Sequence, residues 1–230
     1  MTTNFTFRDF FVYLITGQIC VISIGVIFFT DIFEWSINFF NNYKLIEDSC
    51  FLITIFIVPV IYLLGHFIGF LSYYLINCYK WLSKNKFFKP DILKLDAFTL
   101  KVLQCFYFQS VFYAIIRYTE SDNTEKLFKN VEEFWVICAK LQIEKVYAPA
   151  EYWYVLNEMF KSINLIFLIS SIISFKTGHL IHGIVFIILT IFAFKRAKQY
   201  ANHFIQTVNN LLIANKSLGI NHQMKYTTSQ

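Results

Sequence analysis

Four uncharged and mostly apolar runs divide this chain into a two-plus-two arrangement. They cover residues 10–30, 51–76, 162–175 and 177–194. A helix needs about 20 apolar residues to cross the roughly 30 Å hydrocarbon core of a bilayer. Hydrophobic residues make up 57% of the chain, above the roughly 45–50% of soluble domains. The pattern predicts an all-α polytopic membrane protein with four transmembrane helices.

The charged residues between the runs are sorted by sign. Segment 31–50 carries four acidic residues and one lysine, whereas segment 77–161 carries 12 of the 20 Lys and Arg residues. No Asp or Glu occurs from Met159 onward. Because cytoplasmic loops are enriched in Lys and Arg, we expect a multi-pass protein of the inner (plasma) membrane with both termini in the cytoplasm.

This topology predicts four regions. Residues 1–76 form a first transmembrane hairpin and residues 77–161 a helical cytoplasmic domain inserted between spans 2 and 3. Residues 162–194 form the second hairpin, and residues 195–230 a cytoplasmic C-terminal helix and tail.

The third and fourth apolar runs are short for membrane spans. The 14 residues of the third run cover only about 21 Å as a helix. Either the pair is a re-entrant hairpin, or both helices continue past the membrane as a cytoplasmic stalk. We favour the stalk, because Pro149 suits the first turn of a helix and no Gly or Pro interrupts residues 184–218. Lys161 and Lys176 would then snorkel to the two membrane interfaces.

The inserted domain has two helix signals. Residues 122–125 read Asp-Asn-Thr-Glu, which fits a capping box at the start of an amphipathic helix. Residues 91–117 predict a second, aromatic helix. Residues 102–116 are an alternative fifth span, although a fifth span would invert the charge asymmetry downstream.

The second run contains the polar and small residues that a pore or a helix interface would use. Gly65 and Gly69 form a GxxxG pattern, which lets helix backbones approach closely, either within one subunit or between subunits. His66 is costly in hydrocarbon, so it either lines a pore or gate or is a neutral, hydrogen-bonded side chain. Pro59 can kink the helix.

A cationic and aromatic group follows the fourth run. Arg196 and His203 are seven residues apart and share a helix face. The group either contacts lipid headgroups or binds the phosphate of a nucleotide or oligonucleotide. The predicted ligand-binding residues are Arg117, Lys195, Arg196, Lys198, Tyr200 and His203.

Signals for catalysis or metal binding are weak. His179 and His182 have helical i, i+3 spacing, but two histidines without a third ligand do not make a zinc site. The chain has no GxSxG, HExxH or P-loop pattern. We therefore expect no enzyme activity, no cofactor and no metal.

Two resemblances extend this interpretation. Residues 5–10 (Phe-Thr-Phe-Arg-Asp-Phe), Tyr13, Gly17 and the Gly65-His66 pair resemble small membrane effectors of bacterial anti-phage defence, of the Hailong channel-effector type. That resemblance implies a homo-oligomeric pore controlled by a cytoplasmic nucleotide or oligonucleotide, with a nucleotidyltransferase as partner. The Arg196 and His203 spacing is similar to that of HEPN ribonucleases and implies RNA cleavage.

The function that we expect is a homo-oligomeric ion channel or pore-forming effector, gated by a nucleotide or oligonucleotide on the cytoplasmic side. Four spans from one subunit rarely enclose a water path, so the channel requires self-assembly in the bilayer. A membrane anchor or scaffold for a cytosolic protein is the alternative, and a membrane-tethered HEPN-like ribonuclease is the third.

Overall fold

The fold is described from a computed structural model over residues 7–28, 46–84, 97–121 and 128–227. These residues form helices and no strand, which confirms the predicted all-α class. The helices in this part of the chain are α1 (Phe7–Ile27), α2 (Ile46–Lys84), α3 (Ala97–Phe108), α4 (Val111–Glu120), α5 (Val131–Ile143), α6 (Ala148–Lys176) and α7 (Leu180–Thr227).

Four of these helices are long and apolar enough to cross a membrane, as the sequence predicts. The candidate spans are Phe10–Ile27, Ile57–Trp81, Ala148–Lys176 and Leu180–Asn215. Most of the large apolar side chains that the fold leaves exposed lie on these helices. A surface of this kind requires a hydrocarbon environment, so the fold is that of a multi-pass membrane protein.

Helices α6 and α7 extend well beyond the apolar runs. The 29 residues of α6 span about 43 Å and the 48 residues of α7 about 72 Å, against a hydrocarbon core of roughly 30 Å. The predicted region boundaries at 76/77, 161/162 and 194/195 lie inside α2, α6 and α7. The side of the membrane on which these extensions lie stays a prediction.

Two separate apolar clusters hold the helices together. The membrane core comprises Ile68 and Ile76 of α2, Phe106 of α3, and Leu165 and Ile166 of α6. The second cluster, which we call the distal core, joins α4, α5, the start of α6 and the middle of α7. Its buried members include Val111, Ile115, Phe128, Phe134, Leu141, Ala150, Phe204 and Val208.

The single helix predicted over residues 91–117 is wrong within its described part. Helices α3 and α4 meet at an angle of 73° across Gln109 and Ser110. The Ser110 hydroxyl donates to the Tyr107 carbonyl at 2.6 Å and accepts from the Tyr113 amide at 3.2 Å. Ser110 therefore caps α4 and stops α3 from continuing. Residues 102–116 are therefore not one straight span, although α3 and α4 together are apolar enough for a broken span or a re-entrant loop. Residues 91–96 lie outside the described part.

The predicted capping box at residues 122–125 also lies outside the described residues. Helix α5 begins at Val131, and its cap is Asn130, whose side chain accepts from the Glu133 amide at 2.8 Å. The Glu133 carboxylate in turn accepts from the Lys129 amide at 2.6 Å. This reciprocal pair satisfies amides that the helix leaves without partners.

Proline marks the beginning of α6, and glycine follows its end. Pro149 lies in the first turn of α6, which confirms that prediction. At the other end, Gly178 has φ +82°, and the His179 amide donates to the Ser174 carbonyl at 2.8 Å. This geometry is a Schellman motif, which needs a residue in the left-handed region.

Lys145 occupies the same left-handed position after α5, with φ 59°. An L-residue in that region carries a steric cost that glycine avoids. We expect Lys145→Gly to raise the free energy of unfolding by about 0.5–1 kcal/mol, measured as a higher melting temperature in detergent. Gln142→Gly, inside α5, is the matched control and should lower it by about 1 kcal/mol. A lower melting temperature for Lys145→Gly would contradict this C-cap geometry.

Candidate functional site

Helices α1 and α2 cross backbone to backbone at two glycines. A Cβ atom on Gly65 would lie 1.9 Å from the Tyr13 carbonyl oxygen, and one on Gly17 would lie 1.9 Å from the Ile61 carbonyl oxygen. No side chain fits at either position, because such contacts lie far inside van der Waals distance. Gly65 thus packs within the subunit.

His66 lies on the exposed edge of this crossing, surrounded by aromatic rings. Its Nε2 is 2.9 Å from the Tyr62 hydroxyl. Its ring stacks on Tyr13 with centroids 3.8 Å apart, and Tyr62 stacks on Phe10 at 5.0 Å. His66 itself remains exposed, so its hydrogen bond and ring contact leave part of the imidazole uncovered by the described residues.

A polar stripe runs down α2 through His66. Tyr62, His66, Tyr73 and Asn77 recur at intervals that keep them on one side of a helix, and we call these four residues the α2 stripe. Gly69 lies in the same row, where a Cβ atom would meet the Tyr13 ring at 3.0 Å. None of the four is buried. Sequence reasoning singled out only His66, although the 3–4 spacing was present in the sequence.

Between Ile57 and Phe70, the exposed positions of α2 other than His66 are apolar. Leu63 and Phe67, which neighbour the stripe, are 64% and 62% exposed. Pro59 is exposed within α2, which continues through it. Helix α2 thus presents a polar edge and an apolar face outside the membrane core.

An ion pair in α6 adjoins this region. The Lys161 ammonium lies 2.6 Å from a Glu158 oxygen, and the Lys161 side chain is only 3% exposed. Lys161 therefore does not snorkel, because its buried ammonium is paired with the Glu158 carboxylate.

Buried amides occupy the junction between the membrane core and the distal core. The Asn157 side chain donates to the Gln109 carbonyl at 2.8 Å and to the Ala197 carbonyl at 2.7 Å. The Gln109 side chain donates to Asn164 at 3.2 Å, and Asn164 donates to the Thr190 carbonyl at 2.8 Å. This amide network joins the α3–α4 bend to α6 and α7.

The predicted ligand-binding residues do not form one group. They lie on, or contact, two different faces of α7. Gln199 bridges Arg196 and His203, with contacts of 3.1 Å and 3.3 Å. Arg117 of α4 instead donates to Asn202 at 2.7 Å, a position about 100° around the helix from His203. Lys195 is exposed and Lys198 is half-buried.

Trp153 of α6 adds an aromatic surface that sequence reasoning missed, because no spacing or motif marks this residue. Its ring stacks with Tyr200 at 5.7 Å and lies 5.0 Å from the His203 ring. Tyr200 also contacts Phe160 at 5.3 Å. Arg196, Tyr200 and His203 thus share one edge of α7, beside an aromatic row supplied by α6.

No metal centre is present among the described residues, where no three His, Cys, Asp or Glu side chains come together. The rings of His179 and His182 lie 5.6 Å apart. Burial raises the pKa of the Cys138 thiol to about 12, which keeps it protonated and unreactive near neutral pH.

The fold and these sites define a multi-pass helical membrane protein with a second, distal helical core. Comparison of the chain with protein-family models, curated proteins and solved structures finds no match in any of the three. The function therefore has to be argued from the chain's own residues.

Proposed function

We propose that this protein is a homo-oligomeric ion channel or pore and that the α2 stripe borders its conduction path. The observation that carries the proposal is the exposure of His66 near the middle of α2, a helix that qualifies as a membrane span. A titratable side chain inside a bilayer is costly unless it faces protein or water. Three further polar side chains continue the same edge.

The stripe supports assembly of several copies. Within one subunit, the membrane core fills the space between α2, α3 and α6, while the stripe lies outside that core. Copies that bring their α2 helices together around an axis would place His66 and Tyr73 on a shared aqueous path. Leu63 and Phe67 would then face lipid.

Gating by a nucleotide or oligonucleotide is the second part of the proposal. Arg196 and His203 offer hydrogen-bond donors for phosphate, and Trp153 and Tyr200 offer rings on which a base can stack. Helix α7 runs unbroken from this edge into the apolar run at residues 177–194. A ligand gates the channel only if it binds the open and closed states with different affinities.

Thiol accessibility tests the position of the stripe. In a variant whose five native cysteines are replaced by alanine, we expect Tyr73→Cys and His66→Cys to react with a membrane-impermeant thiol reagent in liposomes. Leu63→Cys and Phe67→Cys are the matched controls and should not react, because hydrocarbon excludes the charged reagent. Equal reactivity of all four positions would contradict a stripe that faces water.

A membrane scaffold is the second candidate, and α5 gives it specific support. Val136 and Ile143 are 68% and 82% exposed, and they lie outside the candidate spans on one side of α5. Exposed apolar side chains of this kind are typical of docking surfaces. Light scattering in detergent separates the candidates, since the channel requires a homo-oligomer and the scaffold predicts a monomer bound to a different protein.

Ribonuclease activity through Arg196 and His203 stays a prediction, and purified protein that cleaves no RNA would exclude it.

A further inference from the structure

The α2 stripe is followed by a lysine at the end of the membrane span. Lys80 comes three residues after Asn77 and lies within about 40° of His66 around the helix. The candidate span Ile57–Trp81 ends one residue later. Lys84, the last residue of α2, comes about five helical turns after His66 and returns to the same side. The edge of α2 that carries the stripe therefore continues into two lysine positions.

Helix α4 holds the Lys80 side chain at this end of the stripe. The Lys80 ammonium lies 3.9 Å from the centroid of the Phe112 ring, which is a cation–π contact. The neighbouring Tyr79 ring lies 4.8 Å from the Tyr107 ring, so the α3–α4 bend packs against α2 here. Because an aromatic ring has no net charge, the contact with Phe112 positions the ammonium without neutralising it.

The charged position nearest to the stripe along α2 is basic. Residues 49–79 contain no Asp, Glu, Lys or Arg. Lys80 lies about 4.5 Å beyond Asn77 along the helix axis, whereas the nearest acidic position, Asp48, lies about 21 Å before Tyr62. The screening length in water is about 8–10 Å at physiological ionic strength. A charge at position 48 is therefore largely screened at the stripe, whereas the charge of Lys80 is not.

The sequence around this end of α2 has the same sign. Residues 77–101 contain six lysines and two aspartates. A homo-oligomer repeats these charges once in every subunit around its axis. Rings of Lys or Arg favour anions at the mouth of a pore, whereas rings of Asp or Glu favour cations.

We propose that the pore conducts anions and that Lys80 determines this selectivity. The inference rests on the proposed channel, because it assigns an ion class to the same conduction path. Copies of α2 around an axis would repeat Lys80 at one end of the path, where the ammonium groups attract an anion such as chloride and repel cations. Along the path, the hydroxyl groups of Tyr62 and Tyr73 and the amide of Asn77 can donate hydrogen bonds to the passing anion.

The reversal potential across a potassium chloride gradient tests the ion class, because anion-selective and cation-selective pores reverse at potentials of opposite sign. In the ligand state that conducts, wild type should reverse with the sign of chloride. Lys80→Glu should lower the chloride-to-potassium permeability ratio severalfold, and Lys80→Arg should keep it. Lys101 of α3 is exposed and lies outside the stripe. Lys101→Glu makes the same change in charge and should leave the ratio nearly unchanged.

Each outcome of this experiment bears on a separate part of the account. Wild type that conducts with cation selectivity, or with none, overturns the inference and leaves the channel standing. Equal shifts for Lys80→Glu and Lys101→Glu also overturn it, because overall surface charge would then set the ratio. Lys80→Gln covers the case in which Lys80→Glu does not fold, and it should lower the ratio in the same direction. Protein that never conducts removes the channel itself, and this inference falls with it.

Discussion

Gly65→Ala is expected to lower the free energy of unfolding by about 3 kcal/mol, at the upper end for overpacked cores. The added methyl group would lie 1.9 Å from the Tyr13 carbonyl oxygen. Because the obstacle is backbone, no side-chain rotation can relieve it, and α1 must move away from α2. The measurement is thermal unfolding of the purified protein in detergent, together with the fraction that elutes as a single species.

Gly25→Ala is the control for this substitution. It places the same methyl group on α1, where nothing lies within 4 Å. It should leave the melting temperature unchanged or slightly higher, since alanine favours helix. Gly17→Ala should match Gly65→Ala, and the double variant should cost less than the sum, because both disrupt one crossing. A Gly65→Ala protein as stable as Gly25→Ala would contradict the close packing of α1 and α2.

Asn157→Leu is expected to lower the free energy of unfolding by about 2–3 kcal/mol, through lost buried hydrogen bonds and the polar groups left without partners. Leucine has a similar size, so the loss reports hydrogen bonding more than packing. Asn157 is fully buried and holds the Gln109 and Ala197 carbonyls. Denaturation in detergent, followed by circular dichroism, measures the change.

The exposed Asn210 is the control for Asn157. Asn210→Leu repeats the same chemical change on the surface of α7 and should alter stability by no more than about 0.5 kcal/mol. Equal effects of the two substitutions would show that the amide network does not hold the α3–α4 bend against α6 and α7.

The four spans and the helix start at Pro149 were predictable, because each depends on local composition. The bend at Gln109 and Ser110 was not predictable, because neither Gly nor Pro marks it and Ser110 acts through its hydrogen bond to the Tyr107 carbonyl. The capping role of Asn130 depends on where the helix begins, which periodicity leaves uncertain by a turn.

The candidate sites were predictable only in part. Arg196 and His203 were paired correctly along one helix, whereas the contact of Arg117 with Asn202 depends on the packing of α4 against α7. The burial of Lys161 was missed because a hydropathy pattern treats each charged residue separately. In the structure, the Lys161 ammonium is paired with the Glu158 carboxylate. The other three residues of the α2 stripe could have been predicted from the sequence, because polar residues recur there at the spacing of one helix face.

Ion flux through liposomes that contain the purified protein tests the central claim most directly. We expect the wild-type oligomer to conduct in one ligand state, nucleotide-free or nucleotide-bound. His66→Ala and Tyr73→Ala should change the conductance severalfold, whereas the lipid-facing control Phe67→Ala should leave it unchanged. Protein that stays folded and inserted but never conducts, with or without nucleotides and oligonucleotides, would contradict the channel.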